Sequence, residues 1–407
     1  MKPVSVLYIS YDGIFDPVGA SQILPYLKGL QQAGANIYLI SFEKEDKSKA
    51  SAGEIDALLK DANIRWFPCI YTKTPPVLST LKDVRTMVQL ARKICIDYNI
   101  EIVHARSYIP AMAAQRMKRK LGIPFIFDMR GFWADERIDG HIWSLRNPLY
   151  KLIYRFFKRK EASLTDNADS IVSLTYAAKD YMVDSWKIDH EKISVIPCAA
   201  DYALFQQVPA MQRDAFMLQH HINPFAGKTL MYIGSTGTWY CVKEMADFYA
   251  VFRKKFPGSR FILCINEAHY LVEKLQYDFP DEVIVLEKVS RSEMPVVLSL
   301  ADYSIMFIKN AFSKKASSPI KLGESLAMGI PVICNAGVGD LGTVERDGFG
   351  VVVQDLSEKE YAAACERLQN QVFEPMEIRT RSEKEYGLSE NIRKYEEVYM
   401  RLKNRDI

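Results

Sequence analysis

A chain of 407 residues is too long for one ordinary hydrophobic core and points to two domains. Its 48% apolar and 25% charged residues fit a water-soluble globular protein, and no apolar run reaches membrane-spanning length. The net charge is only +3 and no nucleic-acid-binding motif occurs, so nucleic acid is not expected as a partner.

Val4–Ser10 reads as a first apolar strand. No long h-region or small-residue cleavage site accompanies it, so no signal peptide is expected and the chain is assigned to the cytoplasm. The loop after it, Asp12–Gln22, holds Gly19 before a helix predicted over Ala20–Ala33. A glycine there lets backbone approach a ligand and offers N–H groups to phosphate, or it serves a plain strand-to-helix turn. Strands follow at Ile37–Ser41 and Ile64–Phe67, a long helix at Leu78–Tyr98, a strand at Ile102–His104 and a helix at Tyr108–Leu121. Further strands are predicted at Pro124–Phe127, Ser170–Leu174 and Ile193–Pro197. Such alternation argues a parallel sheet with helices on both faces.

Open parallel sheets bind ligands at the carboxyl ends of their strands. His104 and Arg106 lie at one such end; Asp128, Arg130, Phe132 and Trp133 lie at the next. These polar groups either form a sugar pocket or satisfy one another as ion pairs. Asp128 either orients Arg130 or accepts a proton from a substrate hydroxyl.

Charge is uneven, +6 over residues 1–200 and −3 over the remainder. Basic clusters occur at Arg116, Lys118, Arg119 and Lys120, and at Lys151, Arg155, Lys158, Arg159 and Lys160. The second is interleaved with Trp143, Leu149, Tyr150, Ile153, Tyr154, Phe156 and Phe157. It reads as a solvated helix face or as a peripheral contact with an anionic membrane surface.

The pattern restarts after Pro197–Asp201. Lys228–Ile233 is a strand followed by Gly234-Ser235-Thr236-Gly237, whose amides can cradle phosphate as a nest. Strands recur at Phe261–Cys264, Val283–Leu286, Tyr303–Phe307, Pro331–Cys334 and Gly350–Val353, and Ser389–Lys403 reads as a final helix. The seven cysteines are odd in number and lack a C-x-x-C pair, the six histidines lack H-x-x-x-H, and no D-x-D occurs. Buried thiols and no metal are expected.

The most informative stretch is Ser317–Val332. Ser318 suits an N-cap and Pro319 the first helical position. Lys321 then sits in the first turn, beside exposed N–H groups and the positive end of the helix dipole, a seat for diphosphate. Glu324, three residues on, shares its face and can accept two hydrogen bonds from a ribose diol. An ordinary capped helix with a surface ion pair is the plainer reading.

This stretch resembles the nucleotide-sugar-binding helix of family 4 retaining glycosyltransferases, which have the α/β GT-B fold. Those enzymes carry two glutamates eight residues apart. Glu324 matches the second, and Ala316 stands at the first. Ser317, Pro319 and Lys321 match a branch with Ser-x-Pro-x-Lys. Asp201 and Phe205 match the family's Pro-x-Gly-x-Asp-x-x-x-Phe junction, and Arg130 stands near the position of a frequent family histidine.

The resemblance implies two Rossmann-like domains facing across a cleft, over residues 1–200 and 201–388, with residues 389–407 crossing back to the first. It implies transfer from a nucleotide-diphosphate sugar, without a cofactor, to a glycan or lipid-linked acceptor in cell-surface polysaccharide synthesis. Gly19, Gly234, Ser235, Ser318, Lys321, Glu324 and the Val289 backbone would hold the donor. His104, Arg106 and Trp133 would face the acceptor, and Lys321, Asp128 and Arg130 would act in catalysis. An epimerase or hydrolase of the same fold is the alternative, as is a non-catalytic binding subunit, the latter motivated by Ala316.

Overall fold

The computed structural model describes residues 3–44, 59–74, 78–224, 226–265, 267 and 269–404. Met1, Lys2 and residues 405–407, which flank the predicted first strand and final helix, lie outside them. The chain forms two compact units, Met1–Pro197 with Leu388–Ile407, and Cys198–Gly387.

The first unit is built on β1 (Val4–Ser10), β2 (Ala35–Glu43), β3 (Arg65–Ile70), β4 (Ile102–Arg106), β5 (Phe125–Met129), β6 (Ser170–Ser173) and β7 (Ile193–Val195). They form one parallel sheet in the order β3-β2-β1-β4-β5-β6-β7. β4 and β5 are buried along their whole length, as near-continuous apolar runs covered on both faces should be. Pro68 lies in β3, an edge strand, where its missing N–H is tolerated.

All seven predicted strands of this half are present, but their ends shift. β4 and β5 extend to Arg106 and Met129, so Arg106 and Asp128 lie inside strands, paired in register. The single helix predicted over Ala20–Ala33 is two helices, Pro17–Gln22 and Leu24–Gln32. Pro25 has no N–H for the Ser21 carbonyl and instead sits in the first turn of a new helix. The helix Tyr108–Leu121 ends at Gly122, which takes a left-handed conformation (φ 75°).

The final helix, Leu388–Lys403, packs within this first unit. A Cβ at Gly29 would stand 2.1 Å from the Ile392 Cδ1, so this glycine allows the close approach. The rings of Tyr26 and Tyr395 meet edge-on with centroids 5.5 Å apart.

The second unit has β8 (Thr229–Ile233), β9 (Arg260–Ile265), β10 (Val283–Glu287), β11 (Tyr303–Met306), β12 (Val332–Asn335) and β13 (Gly350–Val353). These form a parallel sheet in the order β10-β9-β8-β11-β12-β13, and each matches a predicted strand. One hydrophobic cluster centres on Met231, Ile262, Met306 and Leu326, another on Leu230, Phe248, Phe307 and Tyr361. Both units are Rossmann-like, with strand order reversing beside β1 in the first and beside β8 in the second.

Candidate functional site

In the second unit the reversal lies between β8 and β11, and the loop leaving β8 starts at Gly234. Gly234 has φ 143° and donates its N–H to the Cys264 carbonyl at 3.0 Å. A Cβ on Gly234 would stand 2.4 Å from the Nζ of Lys321. The fold therefore brings together the two features singled out separately in the sequence.

Lys321 occupies the first turn of the helix Ile320–Ala327. Its Nζ lies 3.7 Å from the ring centroid of Tyr240 and 4.5 Å from that of Tyr232. Among the described residues it forms no ion pair. Burial lowers its pKa to about 7, against the opposing pull of Glu324. Two π faces favour its charged form and the positive end of the helix dipole opposes it, so an anion is the partner this amine lacks.

Ser318 does not cap this helix. Pro319 occupies the cap position, and the Ser318 hydroxyl accepts the Cys198 N–H at 3.1 Å. The junction segment thus consumes the hydroxyl that the sequence pattern assigned to the helix end. Ser235 shapes its own loop: its hydroxyl accepts the Gly237 N–H at 3.1 Å, and its carbonyl accepts the Tyr232 hydroxyl. Lys314 is buried with its Nζ 3.7 Å over the Trp239 ring.

Glu324 is buried and accepts a hydrogen bond from Arg291 at 2.7 Å. Burial raises its pKa, while Arg291 and Lys321 pull it down. Arg291 belongs to a capped turn in which Ser290 and Glu293 form a capping box leading into Met294–Leu298. Val289 is partly buried against the apolar core of this unit. Ala316 is buried at the end of the 3-10 segment Phe312–Ala316. Tyr232, Tyr240 and Arg291 were given no role by sequence; the only signal for the tyrosines was their place at the end of β8 and in the loop that follows it.

In the first unit, His104, Arg106 and Asp128 do come together. Asp128 lies 3.5 Å from His104, 3.9 Å from Arg106 and 3.4 Å from Arg130. The Leu388–Lys403 helix closes over them. The Tyr395 hydroxyl donates to Asp128 at 3.3 Å, and Tyr399 shares a 2.8 Å hydrogen bond with the His104 Nδ1. Burial alone would raise the Asp128 carboxyl, but Arg130, His104 and Arg106 hold it well below the usual range. Burial lowers His104, so the imidazole is neutral near pH 7.

His104 and Asp128 are each 1% exposed, so their direct partners are protein groups. Of the two readings of these strand tails, the contacts are those of mutual ion pairing. Arg106 is also buried, at 5% exposure, and reaches Asp12 at 3.5 Å. Arg130 is the least buried member, with 12% of its side chain exposed.

Gly19 lies inside the helix Pro17–Gln22 and not ahead of it. A Cβ there would stand 2.2 Å from the Gly13 carbonyl oxygen, so the glycine serves local packing. The same loop hangs on buried Glu43, which accepts the Ile14 N–H at 3.0 Å. Trp133 is packed among Tyr108, Trp143 and Phe157, with centroids 4.7–6.1 Å away, and Arg137 lies over its ring. Among the described residues no group of three or more His, Cys, Asp or Glu side chains is placed to hold a metal ion.

Residues 22–204, which make up most of the first unit, match the family model described as Glycosyltransferase Family 4. Over these residues the chain is similar to family 4 glycosyltransferases, and its two Rossmann-like units have the GT-B fold. A glycosyltransferase from Rickettsia africae ESF-5 superposes with a TM-score of 0.73 at 14% identity, covering 99% of both chains. Anabaena Alr3699/HepE, solved with UDP and glucose, gives a TM-score of 0.68 at 16% identity, covering 98% of this chain and 100% of its own. The lipopolysaccharide outer core galactosyltransferase WaaB, in its apo form, gives 0.66 at 14% identity, covering 98% and 99%. At these identities the likeness is one of fold. No curated protein sequence matches significantly.

Proposed function

We propose that this family 4 glycosyltransferase retains anomeric configuration and moves a sugar from a nucleotide-diphosphate sugar to a glycan or lipid-linked acceptor of a cell-surface polysaccharide. The observation that carries the reading is the meeting of Lys321 and Gly234. It puts a partly desolvated amine beside a loop of backbone amides and a helix N-terminus. That combination suits a diphosphate whose charge grows as the sugar leaves.

In this reading the second unit holds the donor. Lys321 and the Ser235 and Thr236 amides, between the Gly234 and Gly237 amides that bond within the protein, meet the diphosphate, Glu324 meets the ribose, and the Val289 backbone lies by the base. Arg291 then hands Glu324 to the ribose hydroxyls or shares it with them. The first unit serves the acceptor, with Arg130 as its contact group. Asp128 and His104 are positioning residues that act through Arg130 and Arg106. No single side chain stands out as a base, which accords with front-face substitution in which the leaving phosphate helps to deprotonate the acceptor hydroxyl.

Because HepE was solved with UDP and glucose and WaaB is named a galactosyltransferase, uridine-linked hexoses are the first donors to screen. The assay follows nucleotide release with and without glycan acceptors, and NMR reads the anomeric configuration of the product. Acceptor-dependent release with retention supports the proposal. Acceptor-independent turnover makes the protein an epimerase or hydrolase, and donor binding without any turnover makes it a binding subunit.

A further inference from the structure

The helix Pro148–Asn167 and the turn before it carry a surface that the transferase reading does not use. The sequence mixes basic and aromatic residues here, and the structure sorts them. Phe157 is buried, and Tyr150 stacks on Trp143. Tyr154 donates to Asp135 at 2.7 Å. Lys158 turns inward to Asp135, at 2.9 Å, and to the buried Glu161. Lys158 therefore drops out of the basic cluster expected from the sequence, its charge already compensated.

What remains outside is more ordered than the sequence pattern. Ile142, Leu145, Leu149, Leu152 and Phe156 are 44–64% exposed. From Leu145 they follow spacings of four, three and four, so within the helix Leu149, Leu152 and Phe156 share one ridge. Lys151, Arg155 and Arg159, spaced four apart, form the neighbouring ridge, and all three are exposed. Arg146 is exposed in the turn below. Among the described residues none of these four cations forms an ion pair, and no Asp or Glu occurs between residues 140 and 160.

We propose that this face docks on a bilayer of anionic phospholipid, with the leucines and Phe156 entering the headgroup boundary and the cations meeting lipid phosphates. The charge decides between occupants. A second copy packed on the same face would set four cations against four cations. An anionic bilayer compensates them and at the same time accepts the apolar ridge, the arrangement an interfacial amphipathic helix requires. No helix among the described residues is long and apolar enough to cross a membrane, so the contact would be peripheral.

The test is sedimentation of the full chain with vesicles of phosphatidylcholine, with and without phosphatidylglycerol, at low and high salt. Wild type should bind only the phosphatidylglycerol vesicles, and less at high salt. Lys151→Gln/Arg155→Gln/Arg159→Gln should lose roughly a hundredfold in partitioning, about fivefold per charge. Leu149→Ser/Leu152→Ser should also release the protein, with the thermal unfolding curve unchanged because both side chains are exposed. No binding by wild type at low salt, or binding untouched by both variants, would overturn the proposal. So would a dimer in sedimentation velocity that the leucine variant dissociates. Transfer to a soluble acceptor should be the same in wild type and both variants, so loss of docking is read separately from the transferase reading.

Discussion

Raising the pH should weaken donor binding through one side chain. The Lys321 amine has its pKa lowered to about 7 by burial between Tyr232 and Tyr240, from an ordinary 10.5. A bound diphosphate restores an opposite charge and draws the amine back toward its ordinary value. Binding then takes up a proton at any pH between the two values. From about pH 7 to about pH 9 the protonated fraction of the free protein falls from roughly one half to one hundredth. Donor affinity should fall about fiftyfold over that interval, close to 1.4 kcal/mol for each further pH unit. In the donor-free protein the sign for folding is opposite. The unfolded chain holds this proton between about pH 7 and 10.5 while the folded chain does not, so this contribution to stability rises with pH. Calorimetry of a nucleotide-diphosphate sugar in buffers of different ionisation enthalpy measures both affinity and proton uptake. Lys321→Met should bind weakly and without pH dependence, whereas Lys321→Arg stays charged and should lose the dependence while keeping part of the affinity. Constant affinity across the interval with no proton uptake in wild type would refute the reasoning.

Gly234→Ala should cost about 1–2 kcal/mol of stability from its positive φ and displace the Lys321 amine, lowering donor affinity more than it lowers the melting temperature. Unchanged affinity in calorimetry would separate the glycine from the donor site. Glu324→Ala should weaken donor binding by roughly 1.5–3 kcal/mol, the worth of a charge-assisted hydrogen bond. Its fold should persist, because Arg291 is 37% exposed and can be hydrated once its partner is gone. Asp128→Asn should destabilise the first unit by about 3–5 kcal/mol, since it strips the counter-charge from buried Arg106 and the carboxylate from beside His104. Faster hydrogen exchange in Leu388–Lys403 would report the loss, and a fully wild-type denaturation curve would mean that Asp128 does not hold this helix.

Strands were legible because their signal is local. A run such as Ile102–His104 is apolar whatever packs on it, and Gly122 ends its helix by a conformation only glycine adopts readily. The helix break at Pro25 was also written locally but was overridden in the reading by the apolar periodicity around it. The residues proposed to hold the donor were half legible. Lys321 and Glu324 announce themselves by spacing on one helix, but Arg291 comes from another segment and only the fold makes it the partner of Glu324. The first-unit cluster left two readings open for a related reason. Nothing around Asp128 in the sequence says that a tyrosine 267 residues later will donate to it.

That distant contact changes what the polar cluster does. A neutral His104 and an ionised Asp128, the latter paired with two arginines, join the end of the chain to the sheet through the hydroxyls of Tyr399 and Tyr395. An apolar patch of the same size would hold the helix as firmly and would tolerate slippage along it. Hydrogen bonds to one hydroxyl in each of two successive turns fix its register, and they do so at the ends of β4 and β5. The Asp128 carboxylate that fixes the helix also carries Arg130, the one partly exposed cation of the group. The acceptor contact proposed for Arg130 and the anchoring of Leu388–Lys403 therefore draw on a single buried charge, and a change in either should be felt in the other. Arg130→Gln tests this: besides impaired transfer, hydrogen exchange should quicken around Tyr395 and Tyr399, because Asp128 loses its strongest cationic partner. Protection there identical to wild type would mean that the anchor and the acceptor contact are independent.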